Sequence, residues 1–183
     1  MGVNVGDTAL YFVLNGARKV IAVEPLPNVA RCAEENLRLS GATDKVKVTN
    51  ATLNDEPVSV QCDYDSLLSR YFSTLSCGPC RVPGVTIIDL LSMIDDPYPL
   101  KMCCEGCEAQ VILGPERERL RAFEYIILET HPLNSGVRNE NLLTSLNGLG
   151  FECRLHTEKH DPKVGCSIYH CTRKFRLGKE FSA

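Results

Sequence analysis

The chain is 183 residues long, 44% apolar and 23% charged, the make-up of a soluble globular protein large enough to bury a core as one domain over 1–183. Its formal charge of -3 supplies no basic face for nucleic acid, and no apolar run reaches the ~18 residues of a membrane span. Neither a basic segment nor a signal-like apolar core stands at its start, so a cytoplasmic location is expected.

In chain order, the opening "MGVNVGD" leads into a helix, "DTALYFVLN", with Asp7 as its cap and Gly16 as its left-handed terminator. "KVIAVE" (19–24) is a compact strand broken by "PLP". Asn28 is placed as the cap of "NVARCAEENLRLS", whose inner face carries Val29, Cys32, Ala33, Asn36 and Leu37 and which Gly41 ends. "KVKVTNATL" (45–53) is the next strand. Between 54 and 84 the rhythm changes: "PVSVQCD" alternates like an exposed strand and "SCGPCRVPG" is rich in turn residues, which reads as an inserted hairpin and loop. Regularity returns with "VTIIDLLSMI", the strand "PLKMCC" (99–104), a helical stretch over about 106–122 and the strand "EYIILET" (124–130). Helix "NENLLTSLNG" and the strands "FECRLHTE" and "VGCSIYHCTRKF" close the chain, with a turn around "HDPK" between the last two. Such alternation specifies an α/β fold: a doubly wound, mostly parallel sheet with a C-terminal antiparallel hairpin.

The glycine loop raises the question of a ligand. Gly2 and Gly6 let backbone approach a bound molecule, and the helix that follows presents free N–H groups. Glu24 closes the first strand of the pattern, where one carboxylate can accept both hydroxyls of a ribose. Loop and acid together point to an adenosine-containing cofactor. The loop "GVNVGD" lacks the G-x-G-x-x-G turn of a dinucleotide site, and Asp7 would repel a pyrophosphate. S-adenosylmethionine, with a cationic sulfonium and ammonium group, suits an acid there. Without a ligand the same residues are a bare helix start.

The stretch "GVNVGDTALYFVLNGARKVIAVEPLPNVARCAEENLRLSG" resembles the first segment of the FkbM family of S-adenosylmethionine-dependent methyltransferases, in which a glycine loop, a G-D-T helix start and a strand ending in E-P follow in order. "VTIIDLL", "LKMCCEGCEAQVILG" and "YIILETHP" resemble its later segments, the second of them the signature L-K-I-D-x-E-G-x-E. The resemblance covers most of the chain, 54–84 being the poorest match. It implies a class I methyltransferase fold with S-adenosylmethionine above the strand ends. Gly2, Asn4 and Gly6, with Asp7 and Thr8 of the G-D-T start, would face the methionine part, Glu24 the ribose, and Asn50 and Ala51 the adenine. It also implies methylation of an oxygen on a small molecule or sugar; neither nucleic acid nor membrane is expected as a partner, on the charge and hydropathy grounds given above.

Two departures stand out. The family's first strand, which lies at the centre of the sheet, has no counterpart before Gly2, so the expectation is an N-terminally truncated chain. Alternatively the exposed edges of its neighbours are covered by a partner strand or a homo-oligomer. Cys103 stands where the family carries Asp facing donor and acceptor, and a buried thiol cannot replace that charge.

Methyl transfer to a hydroxyl needs alignment and a base. Glu105, Glu108, Glu129 and His131 lie near strand ends; Glu105 and His131 are the expected catalytic pair. Helix capping for Glu105 and backbone bonding near Pro132 for His131 are the bland alternatives. Glu108 is read as a solvated helix residue and Lys101 as facing solvent or an acid. The ten cysteines are read mainly as buried thiols, with one or two bridges allowed and no pairing legible. Cys77-Gly-Pro-Cys80 has the spacing of a redox pair or a half zinc site, and Cys103, Cys104 and Cys107 form a second cluster. Neither has paired C-x-x-C spacing, so no metal ligands are expected. A short 77–80 bridge or reduced thiols are favoured over zinc. A catalytically impaired methyltransferase-like binding domain and a zinc or thiol redox module are the competing functional readings. His156, His160 and His170 are expected at the surface.

Overall fold

The computed structural model describes residues 1–60, 62, 78–159 and 165–174. Helix α1 (Asp7–Leu14) starts on Gly6, whose φ of 95° makes the sharp entry turn; Asp7 is therefore not its cap but sits in the first turn, where its charge meets the helix dipole. Strand β1 (Val20–Glu24) is followed by α2 (Pro27–Leu39). The helix begins one residue before the expected Asn28 cap because Pro27, with no N–H to lose, occupies its first turn. Its buried face is Val29, Ala30, Ala33 and Leu37, whereas Cys32 and Asn36 are exposed. Strand β2 (Val46–Asn50) pairs in parallel with β1, from Val20 opposite Val46 to Glu24 opposite Asn50.

The irregular region is a set of short ladders. β3 (Thr52–Leu53) pairs in parallel with β6 (Gly84–Val85), and β4 (Val58–Val60) pairs antiparallel with β5 (Cys80–Val82). Helix α3 (Ile87–Leu91) opens with a capping box, in which Thr86 accepts from the Asp89 N–H and Asp89 accepts from the Thr86 N–H. Strand β7 (Pro99–Met102) then leads to α4 (Cys107–Leu113), and a 3-10 turn follows over Arg117–Ala122. The stretch expected as one helix over 106–122 thus breaks at Gly114, where an added Cβ would lie 2.1 Å from the Gln110 carbonyl oxygen. Strand β8 (Tyr125–Thr130), the short α5 (Pro132–Ser135), α6 (Asn139–Gly148), β9 (Phe151–Lys159) and β10 (Cys166–Arg173) complete the chain.

The second sheet runs β7-β8-β10-β9, parallel between β7 and β8 and antiparallel beyond. The expected closing hairpin is the β9–β10 pair. Its core packs Met102, Ile112, Leu120, Ile126, Leu128 and Phe151, each at most 1% exposed. Burial at that depth stabilises by about 1.5–3 kcal/mol per large side chain.

Between β1 and β7 lie Met1–Val3. The Gly2 and Val3 N–H groups donate to the Val23 carbonyl at 3.0 and 3.1 Å. The Met1 nitrogen donates to the Lys101 carbonyl at 2.8 Å, and the Cys103 N–H donates to the Met1 carbonyl. The expectation that both neighbouring edges stand open is thus corrected where the strands reach the site. Three residues bridge β1 and β7 and fix the loop against both.

Three disulfides are present among the described residues: Cys62–Cys80, Cys104–Cys107 and Cys153–Cys171. The sequence points mainly to reduced thiols with one or two bridges allowed, and three bridges exceed that. Cys80 is joined to Cys62 rather than to Cys77, which with His160 and the turn at 160–163 lies outside the described residues. His156 is exposed and stacks on half-buried His170, ring centroids 4.6 Å apart.

Candidate active site

The opening loop is built from left-handed backbone: φ is 69° at Gly2, 52° at Asn4 and 95° at Gly6. At Gly2 a Cβ would stand 1.8 Å from the Cys103 carbonyl oxygen, so only glycine passes between β1 and β7. The loop folds back on Glu24, whose Oε2 accepts from the Asn4 N–H at 2.9 Å and Oε1 from the Leu26 N–H at 3.2 Å. Glu24 is 6% exposed. Burial raises its carboxyl above the ordinary value, against the pull of the two backbone N–H bonds.

These residues wall a cavity of about 260 Å³. Gly2, Asn4, Asp7 and Thr8 contribute from the loop, and Glu24, Ala51 and Cys103 from the strand ends. Glu105 reaches the same cavity, as do Leu26, Thr52, Leu53 and Lys101, for which no local sequence signal indicates a place in a site. Gly6, Asn50 and His131 do not line it. Gly6 packs against Ala33, and the Asn50 amide donates to the carbonyls of Glu24 and Pro25, tying the ends of β1 and β2 together. Lys101 is turned inward, its Nζ donating to the Gly2 carbonyl at 3.2 Å.

One end of the cavity carries an acid cluster. Glu105, at φ 55°, accepts from Asn134 Nδ2 through Oε2 and places Oε1 3.4 Å from His131 Nε2. Burial raises its carboxyl against the pull of His131 and Lys101, and neighbouring Glu129 and Glu108 add to the rise. His131 is not at the rim as expected but 3% exposed, behind Glu105. Burial pulls its imidazole down, yet Glu108, Glu105 and Glu129 together lift it above the ordinary histidine value.

Glu108 overturns its reading as a solvated residue. It is 0% exposed, and its carboxylate accepts from the Gly106 N–H at 2.9 Å and the His131 N–H at 2.7 Å. Burial would raise it; the bonds from His131 and the backbone prevail and hold it below the usual range. Cys103 is pushed up to about 12 by burial, with Glu129 reinforcing and Lys101 opposing, so its thiol is neutral at pH 7. Cys104 and Cys107 are joined on the cavity wall, which removes both from any thiolate zinc cluster.

The chain belongs to the methyltransferase FkbM domain family, whose model matches residues 1–153. Its fold is that of the class I, S-adenosylmethionine-dependent methyltransferases. Streptococcus pneumoniae Sp1610, a candidate tRNA (m1A22) methyltransferase, superimposes with a TM-score of 0.53 at 16% identity, over 96% of this chain and 63% of that one. The chain therefore spans just under two thirds of that structure's length. The N-terminal domain of EvdMO1, solved in the presence of SAH and D-fucose, gives 0.45 at 14% identity over 94% of this chain and 83% of the other. A SAM-dependent O-methyltransferase from Thermotoga maritima gives 0.43 at 16% identity over 96% and 59%. No curated protein sequence matches the chain.

Proposed function

We propose that the chain binds S-adenosylmethionine in the cavity and transfers its methyl group to a hydroxyl oxygen of a small molecule or sugar. Glu24 carries the reading. Each of its oxygens already accepts one backbone N–H, which fixes the carboxylate, and each keeps a second acceptor site for a ribose hydroxyl. Asp7 on the same wall suits the cationic methionine end of the donor.

In the transfer, the acceptor oxygen attacks the methyl carbon in line, the C–S bonding pair stays on sulfur, and the sulfonium becomes a neutral thioether. The acceptor's proton goes to Glu105, which reaches the cavity and whose raised carboxyl makes it a better base than an ordinary glutamate. His131 is a positioning residue, facing Glu105 across 3.4 Å. No helix among the described residues is long and apolar enough to cross a membrane.

Calorimetric titration of S-adenosylhomocysteine, with NADH as control, tests the cofactor. Micromolar binding of the former alone is expected, weakened about 10–100-fold in Glu24→Gln, as for hydrogen bonds to a charged group. Adenosine should lose affinity by the same factor, since the ribose is common to both. Binding without turnover against a panel of hydroxylated acceptors would favour the impaired binding domain, in which neutral Cys103 has removed an essential acid.

A further inference from the structure

Met102 of β7 lies opposite Leu128 of β8, so the residues just beyond these positions emerge side by side. Cys103, Glu129 and His131 each place a ligand-type atom there, and the three atoms lie within 4.8 Å of one another. This set shares Cys103 with the second cysteine cluster of the sequence, but its other ligands differ, since Cys80, Cys104 and Cys107 are taken up in disulfides.

We propose that Cys103, Glu129 and His131 bind one thiophilic divalent cation, with zinc the best match. The orientation of the imidazole supports it. Nε2 faces the cluster, 3.8 Å from Glu129 Oε1 and 3.4 Å from Glu105 Oε1, while Nδ1 is 3.4 Å from Glu108 Oε1 on the other side. Nδ1 is buried and has no full hydrogen bond among the described residues. A buried carboxylate behind one ring nitrogen, leaving the other nitrogen to the metal, is how zinc-bound histidines are held. Thiolate, imidazole and carboxylate together favour zinc, whereas magnesium takes oxygen ligands and keeps its waters.

Bond lengths of about 2.0–2.3 Å put tetrahedral ligand atoms roughly 3.5 Å apart, so these side chains need to converge by about 1 Å. Three carboxylates, Glu105, Glu108 and Glu129, surround the imidazole, and a divalent ion offsets that charge. Binding sends the Cys103 thiol proton, and the proton that an imidazolium carries on His131 Nε2, to solvent. Three protein ligands leave a fourth position, and Cys103 borders the cavity, so the ion would polarise an acceptor hydroxyl. That last role rests on the methyl-transfer reading; the binding does not.

The test is titration of the full chain, stripped with a chelator and kept free of thiol reductant, with cobalt(II) and then zinc(II). Expected are one equivalent of cobalt, a thiolate-to-cobalt charge-transfer absorption, and its loss on adding one equivalent of zinc. Cys103→Ser should abolish the absorption and weaken zinc by about a hundredfold or more, and Glu129→Gln should weaken it at least tenfold, both with unchanged circular dichroism. No thiolate absorption in the wild type overturns the site. So does an absorption that persists in Cys103→Ser with unchanged affinity. S-adenosylhomocysteine titrated into the same samples separates the two readings. Donor binding without metal overturns this site alone, and metal without donor binding supports it while removing the cofactor assignment.

Discussion

Glu108 and His131 meet twice beneath the cavity: the His131 N–H donates to Glu108 Oε1 at 2.7 Å, and the ring Nδ1 lies 3.4 Å from that same oxygen. The contact joins the start of α4 to the end of β8 and so sets where Glu105, three residues before Glu108, enters the cavity. Its position in the fold makes it a pH-dependent support. Glu108, held low, contributes stability fully above the ordinary value of 4.5 and loses it as pH falls through its folded value. His131, held high, contributes fully below 6.5 and loses it as pH rises through its folded value. For the metal-stripped protein, this pair is therefore most stabilising from pH 4.5 to 6.5. Urea unfolding across pH 4–9 should place the largest difference between wild type and Glu108→Ala there, about 3 kcal/mol. A flat difference between wild type and variant over the whole range would contradict the pair.

Gly2 is the narrowest passage in the site. An alanine there meets the Cys103 carbonyl and a φ that L-residues resist. Either the loop or the end of β7 must move, and both line the cavity. Gly2→Ala should therefore weaken S-adenosylhomocysteine binding at least tenfold by calorimetry. Gly41→Ala, in open space at similar φ and remote from the cavity, should leave affinity unchanged.

Most of the architecture was legible because it depends on local signals. Glu24 at the end of β1, Gly16 and Gly41 after their helices, and Asn139–Gly148 as a helix all follow from patterns a few residues long. The Thr86-x-x-Asp89 capping box is an equally local signal. What could not be read depended on distant chain. Glu108 has the sequence surroundings of a solvated first-turn residue; beside the local Gly106 N–H, its second donor is the His131 N–H, which arrives from the end of β8. Cys80 has a nearer partner by spacing in Cys77, but the β4–β5 ladder brings it to Cys62. Met1–Val3 could be placed between two strands only once both strands were in position.

Cys153 and Cys171 face each other directly in the β9–β10 ladder, 18 residues apart in sequence. Cys171 is 0% exposed within the second sheet's core. Closing a loop of that length stabilises by about 3 kcal/mol through the unfolded chain. The double variant Cys153→Ala/Cys171→Ala should melt roughly 6–12 °C lower without reductant. S-adenosylhomocysteine affinity below the melt should be unchanged, because neither residue borders the cavity.

Cys32 and Cys103 offer a direct contrast in thiol reactivity. Cys32 is exposed on α2, while Cys103 is half-buried with its thiol pushed from 9.0 to about 12. Only the thiolate attacks an alkylating agent, so that rise alone leaves about a thousandfold less of the reactive form at pH 8. Iodoacetamide, followed by peptide mass spectrometry on metal-stripped protein without reductant, should modify Cys32 at least about a hundredfold faster than Cys103. S-adenosylhomocysteine should slow Cys103 further and leave Cys32 unaffected, because Cys103 borders the cavity and Cys32 does not. Zinc should protect Cys103 even without the donor, which ties this measurement to the proposed cation site. If Cys103 reacted as fast as Cys32, its burial and its position beside Glu129 would both be refuted, and the bound donor would have no reason to shield it.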